Sequence, residues 1–95
     1  MMAKRIYALI SGRVQNVGFR MYVRDRALRL GLSGWVRNLS DGLHVELEAE
    51  GTEAAVDDLL AAVARGPRGA QVYEVRVDAR SPLGGQSRSF SVRPD

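Results

Sequence analysis

The clearest pattern in the chain is an alternation. Leu43, Val45, Leu47 and Ala49 are apolar, and His44, Glu46, Glu48 and Glu50 between them are polar. A period of two sends one set to a buried face and the other to water, which predicts a β-strand packed on one side only. Residues 72–79 alternate in the same way, with Tyr73, Val75 and Val77 set against Glu74, Arg76 and Asp78. Residues 5–12 are instead a run of β-branched and aromatic side chains ending at Gly12, the pattern of a strand buried on both faces. A further strand is predicted over 34–39, followed by the turn Ser40-Asp41-Gly42, because Asp-Gly accepts the positive φ of a tight hairpin. A loop over 81–86 precedes a short last strand at Phe90 and Val92.

Two segments have helical spacing. In 21–30 the apolar positions Val23, Ala27 and Leu30 continue back to Phe19, and Gly31 stops the run. The second helix opens at Gly51-Thr52, with Thr52 as N-cap and Glu53 in the first turn. Ala55, Val56, Leu59, Leu60 and Val63 form its apolar stripe, and Gly66-Pro67 ends it. The resulting order is β-α-β-β-α-β plus a terminal strand. This predicts an α+β, ferredoxin-like sandwich: an antiparallel sheet with both helices on one face.

A length of 95 residues fits one domain spanning 1–95. With 45% hydrophobic and 26% charged residues, wholesale disorder is excluded. The absence of cysteine excludes disulfides, thiolate nucleophiles, zinc fingers and iron–sulfur clusters. His44 is the only histidine, so one chain offers no multi-histidine metal cage. No apolar run approaches the roughly 20 residues of a membrane span. The basic-then-apolar start superficially resembles a signal peptide. Tyr7, Ser11 and Gly12 interrupt it and Arg13 follows, so a strand is the better reading and the cytoplasm the expected compartment. Of the charges behind the net +3, Lys4 is the only lysine. Arginine suits bidentate recognition of phosphate or carboxylate, but these arginines are scattered and most read as solvated surface.

Candidate chemistry concentrates in Gly12-Arg13-Val14-Gln15-Asn16-Val17-Gly18-Phe19-Arg20, which joins the first strand to the first helix. Such a turn aims several backbone N–H groups at one point, and the helix dipole adds positive potential. Gly12 and Gly18 permit close backbone approach, and Asn16 tolerates a left-handed conformation. Arg20 closes the loop with an always-charged donor fork. The segment matches a cradle for one phosphate group. It equally matches an ordinary strand–glycine–helix turn with a solvated arginine. It is neither a P-loop nor a dinucleotide fingerprint, since the Gly-Lys-Ser/Thr end and the glycine spacing are missing.

Residues 12–20 closely resemble the first signature of the acylphosphatase family, Gly-x-Val-Gln-Gly-Val-x-Phe-Arg. Gly34-Trp35-Val36-Arg37-Asn38-Leu39-Ser40-Asp41-Gly42 resembles the second, at the family's separation. The element order, the Gly66-Pro67 stop and Phe90 also fit. Two departures stand out. Asn16 replaces the usual glycine, and Leu43-His44-Val45 follows Gly42 where Gly-x-Val is typical, which predicts a bulge or a longer hairpin turn. The resemblance implies a metal-independent, cofactor-free, monomeric hydrolase of the carboxyl–phosphate bond. Its partner would be a small-molecule acyl phosphate. The backbone amides of Gln15, Asn16, Val17, Gly18, Phe19 and Arg20, with the Arg20 guanidinium, would hold the phosphate, and Asn38 would position the attacking water.

Read without the resemblance, Asn38 is a strand-end hydrogen bonder, Trp35 a core residue or a lid over the hairpin, and His44 a wet-face residue with no triad partner. Glu46, Glu48 and Glu50 read as a solvated sheet face. A nucleic-acid module shares this strand order, but the outward aromatics and motif it needs are missing, so neither nucleic acid nor membrane is an expected partner. A non-catalytic, anion-binding relative of the family is the remaining alternative.

Overall fold

A computed structural model describes residues 3–84 and 89–94. The end of the expected 81–86 loop lies outside the described residues. In chain order the elements are β1 (Ala3–Arg13), α1 (Phe19–Arg29), β2 (Ser33–Asn38), β3 (His44–Thr52), α2 (Glu53–Arg65), β4 (Gln71–Arg80) and β5 (Phe90–Val92). They form one five-stranded sheet in the order β4-β1-β3-β2-β5. Four strands are antiparallel, as the pattern predicts, but β5 runs parallel to β2, pairing Gly34 with Phe90 and Val36 with Val92. The sheet is therefore mixed. β4 ends at the end of the sheet where β2 begins, so a chain crossing there re-enters beside β2 in the same direction.

The core is a single layer between sheet and helices. Ile6, Ala8 and Ile10 of β1, Val36 of β2, and Val45, Leu47 and Ala49 of β3 face Phe19, Val23 and Ala27 of α1 and Val56, Leu59 and Val63 of α2. Fully burying a side chain of this size contributes about 1.5–3 kcal/mol. Thr52 caps α2 by accepting a hydrogen bond from the Ala55 N–H at 3.2 Å. Helix α1 begins at Phe19, two residues earlier than its spacing predicts, because Gly18 takes φ 75° and turns the chain into the helix there.

The open face of the sheet corrects the expectation of a solvated face. Glu46 and Glu50 are buried and Glu48 is half-buried. The buried Arg5 donates from Nε to Glu48 at 2.8 Å and from Nη1 to Glu50 at 3.2 Å. Tyr7 donates its hydroxyl to Glu46 at 2.7 Å, and Arg37 Nε donates to the same carboxylate at 2.6 Å. Opposite charges on neighbouring strands cover one another, so alternation reports polarity but not exposure. Burial, and then the Glu46 carboxylate, push the Tyr7 phenol up to about 12. β1 is accordingly sealed on its core face and only partly covered on the other, where Tyr7 and Leu9 are half-buried. Trp35 is half-buried between guanidinium groups, with Arg93 at 4.5 Å and Arg37 at 5.7 Å from its ring.

Two register details shape the end of the sheet nearest the 12–20 loop. Ser11 pairs with Glu74 but Gly12 pairs with Val72, so Tyr73 is the extra residue of a bulge. Val72 and Val75 both pack against the core while Tyr73 is exposed, which breaks the predicted Tyr73/Val75/Val77 face. After Gly42 there is no bulge: the hairpin turn covers 39–43 and β3 pairs with β2 without a break. Leu43 consequently leaves the strand and is exposed, contrary to the alternation.

Candidate active site

The connection between β1 and α1 is held in an unusual backbone conformation. Asn16 has φ 61° and Gly18 φ 75°. Asparagine is one of the few non-glycine residues that adopt this left-handed region at little cost. Within the described residues, no backbone or side-chain acceptor takes the N–H groups of Gln15, Asn16, Val17 or Gly18. The start of α1 has no side-chain cap and no acidic residue in its first turn, whereas α2 has both Thr52 and Glu53. Uncapped donors at a helix start favour an anion there.

One cleft of about 110 Å³ collects most of the residues singled out in the sequence. It is lined by Asn16, Gly18, Phe19, Arg20 and Asn38, with Val14 and Met21 beside them. Arg20 is half-buried in the first turn of α1, and its Nη1 donates to the Arg93 carbonyl at 3.3 Å. Arg93 is in turn held by its N–H to the Val36 carbonyl at 2.8 Å and by stacking on Trp35. The chain end after β5 thus steadies the guanidinium, a contact 73 residues distant that no local pattern announces.

Asn38 closes β2, where it pairs with Val45. It is 6% exposed, and among the described residues its side-chain amide has no hydrogen-bond partner. The residue is buried, but its amide atoms are not sealed off: among the described residues no buried side-chain N or O atom lacks a partner. The amide opens on the cleft, facing the same space as Arg20.

Gln15 and Val17 do not line the cleft. Val17 packs against the core. Gln15 donates both side-chain N–H groups across the hairpin mouth, to the carbonyls of Leu39 at 2.8 Å and His44 at 2.9 Å. It ties the loop to the residue following Asn38, a structural duty that the sequence reading, which used only its backbone amide, missed. At the hairpin tip Asp41 accepts from the Leu43 and His44 N–H groups at 2.8 and 3.1 Å. Those bonds, the Leu43 one foremost, and the His44 ring hold its carboxyl below the usual range. The described residues contain no group of three or more His, Asp or Glu able to hold a metal ion, and no helix is long and apolar enough to cross a membrane.

What the cleft offers is several donors and no general base: free backbone N–H groups, one guanidinium and one neutral amide. That set suits a tetrahedral oxyanion with a water beside it. Residues 6–92 match the acylphosphatase family model. An acylphosphatase of Salinibacter ruber is 57% identical over 75 residues, 79% of this chain and 78% of that protein. One of Aeropyrum pernix is 48% identical over 89 residues, 94% and 87% of the two. The crystal structure of the Bacillus subtilis acylphosphatase superposes with a TM-score of 0.88 at 37% identity, covering 97% of this chain and 99% of that one.

Proposed function

The chain belongs to the acylphosphatase family, and from that premise we propose how it hydrolyses the carboxyl–phosphate bond of an acyl phosphate: the 15–20 loop and Arg20 hold the phosphate, and Asn38 orients the attacking water. The observation that carries this reading is the cleft lined by Asn16, Gly18, Arg20 and Asn38, onto which the Asn38 amide opens with no hydrogen-bond partner among the described residues.

The water oxygen attacks phosphorus while the bond from phosphorus to the acyl oxygen breaks. The bonding pair leaves with the carboxylate. The water's protons end on the phosphate and in solvent, which gives a carboxylate and inorganic phosphate. Charge in such a transition state lies on the peripheral phosphate oxygens, where the loop N–H groups and Arg20 donate to it. Asn38 cannot deprotonate water, but its carbonyl oxygen can accept a water hydrogen bond and aim the lone pair at phosphorus. The carboxylate is a stable leaving group, so no protein acid is needed. No step calls on a metal or cofactor. The enzyme works as one domain and a monomer, in the cytoplasm, on a small-molecule substrate.

Two readouts test this assignment. Hydrolysis in ¹⁸O-labelled water places the label in phosphate and none in the carboxylate. Inorganic phosphate, bound as product, inhibits the wild type competitively. Arg20→Ala weakens that inhibition by at least about tenfold, the worth of one lost charge-assisted contact of 1.4 kcal/mol or more. Asn38→Ala leaves it nearly unchanged while lowering kcat. Label in the carboxylate, or phosphate inhibition indifferent to Arg20, would refute the assignment.

A further inference from the structure

A second cavity, of about 310 Å³, adjoins the cleft and shares Val14 and Asn16 with it. Gly12, Arg13, Leu43 and Tyr73 also line it. Leu43 is 61% exposed and Tyr73 70%. Single exposed apolar side chains are ordinary. These two share one cavity beside the proposed phosphate site. Leu43 lies in the hairpin turn, one residue before β3 begins at His44, and Tyr73 is the bulged residue of β4. Both places meet at Gly12. Its N–H donates to the Leu43 carbonyl at 3.3 Å, and β4 crosses so close that a Cβ on Gly12 would collide with the Gln71 carbonyl oxygen.

We propose that this cavity receives the acyl group of the substrate, and that Leu43 and Tyr73 favour acyl phosphates whose acyl group is aromatic or bulky and apolar. The inference rests on the phosphate being bound as proposed above. With the phosphate in the 110 Å³ cleft, no room remains there for a ring. A cavity of about 150 Å³ already admits benzene, so the adjoining 310 Å³ is ample. The Tyr73 ring and the Leu43 side chain supply apolar contact, while a methyl group reaches little of either. Arg13, also exposed at the rim, is the feature that would instead favour an acyl group carrying a distal carboxylate.

The test compares kcat/KM for acetyl, benzoyl and succinyl phosphate in the wild type, Leu43→Ser, Tyr73→Ser, Tyr73→Phe and the Leu43→Ser/Tyr73→Ser double variant. Intrinsic reactivity differences cancel when each variant's benzoyl-to-acetyl ratio is divided by that of the wild type. The double variant lowers the ratio about tenfold, the low end of discrimination by an apolar pocket, as suits an open one. Acetyl phosphate is hydrolysed within about twofold of wild type, because neither side chain touches the phosphate site. Tyr73→Phe keeps the wild-type ratio, because the ring and not the hydroxyl makes the contact. An unchanged ratio in the double variant overturns the proposal. So does a loss in Tyr73→Phe equal to that in Tyr73→Ser, or a wild-type preference for succinyl over benzoyl phosphate that Arg13→Ala abolishes. Failure of the underlying phosphate site is separately visible, as Arg20→Ala hydrolysing acetyl phosphate at the wild-type rate.

Discussion

Gln15 shows how one side chain can set a site it does not enter. Its amide group satisfies two hairpin carbonyls, Leu39 and His44, and so fixes the distance between the 15–20 loop and the end of β2 where Asn38 sits. Gln15→Ala leaves both carbonyls without that donor. Each carbonyl keeps a backbone donor, Gly42 N–H for Leu39 and Leu39 N–H for His44, so we expect a loss of about 1–3 kcal/mol, the net worth of two hydrogen bonds at about 0.5–1.5 kcal/mol each, read as a lower urea midpoint. We also expect a fall in kcat larger than any rise in KM, because the water and the phosphate lose their relative placement. An unchanged kcat would mean the loop holds its place without the tie. At this scale the sequence is legible where a residue's own conformation decides the matter. Asn16 reads as a left-handed position and is one. It is illegible where the partner is remote. Neither the Gln15 bonds, spanning 24 and 29 residues, nor the Arg20–Arg93 contact leaves a local trace.

The strands and helices themselves are legible, because each carries a period that only one face of one element can satisfy. Both helix stripes and all five strands lie where their patterns put them, to within a few residues. What the periods miss is interruption and cover. Tyr73 and Leu43 belong to runs that look unbroken, and only the pairing of β1 with β4 and the length of the hairpin turn expel them. Glu46 and Glu50 look wet because polarity stands in for exposure, and Arg5, Tyr7 and Arg37 from neighbouring strands bury them. Gly12 is the hinge of the first case. At φ 137° with a carbonyl against its Cα, it admits no side chain without a backbone shift. Gly12→Ala is expected to cost about 2 kcal/mol or more, from a strained φ plus a clash. Thermal unfolding checks it, and a melting temperature equal to wild type would show that β4 can yield.

Across the whole molecule, carboxylates held by hydrogen bonds make stability depend on pH. Burial raises the Glu50 carboxyl, but hydrogen bonds from the Leu83 and Gly84 N–H groups and from Arg5 more than offset it, holding it below its ordinary value of 4.5. Asp41 is held low as well, by the Leu43 N–H first. The unfolded chain therefore binds these protons at a higher pH than the folded one, and stability rises with pH through that range. Their contribution is complete above the ordinary carboxylate value and is lost as pH falls through the folded one. Urea midpoints should drop on acidification from about pH 6 to about pH 3, and Glu50→Gln should show a smaller drop. An equal drop would assign acid sensitivity to other groups. The central claim remains that one cleft holds the phosphate and aims the water. Its most direct test is benzoyl phosphate hydrolysis, followed by ultraviolet absorbance with EDTA present, for the wild type, Arg20→Ala and Asn38→Ala at matched folding by circular dichroism. The account predicts rapid turnover indifferent to EDTA, reduced in each variant by about 10²–10³-fold, the worth of one preorganised donor in such a site. Folded variants that turn over at the wild-type rate would contradict it.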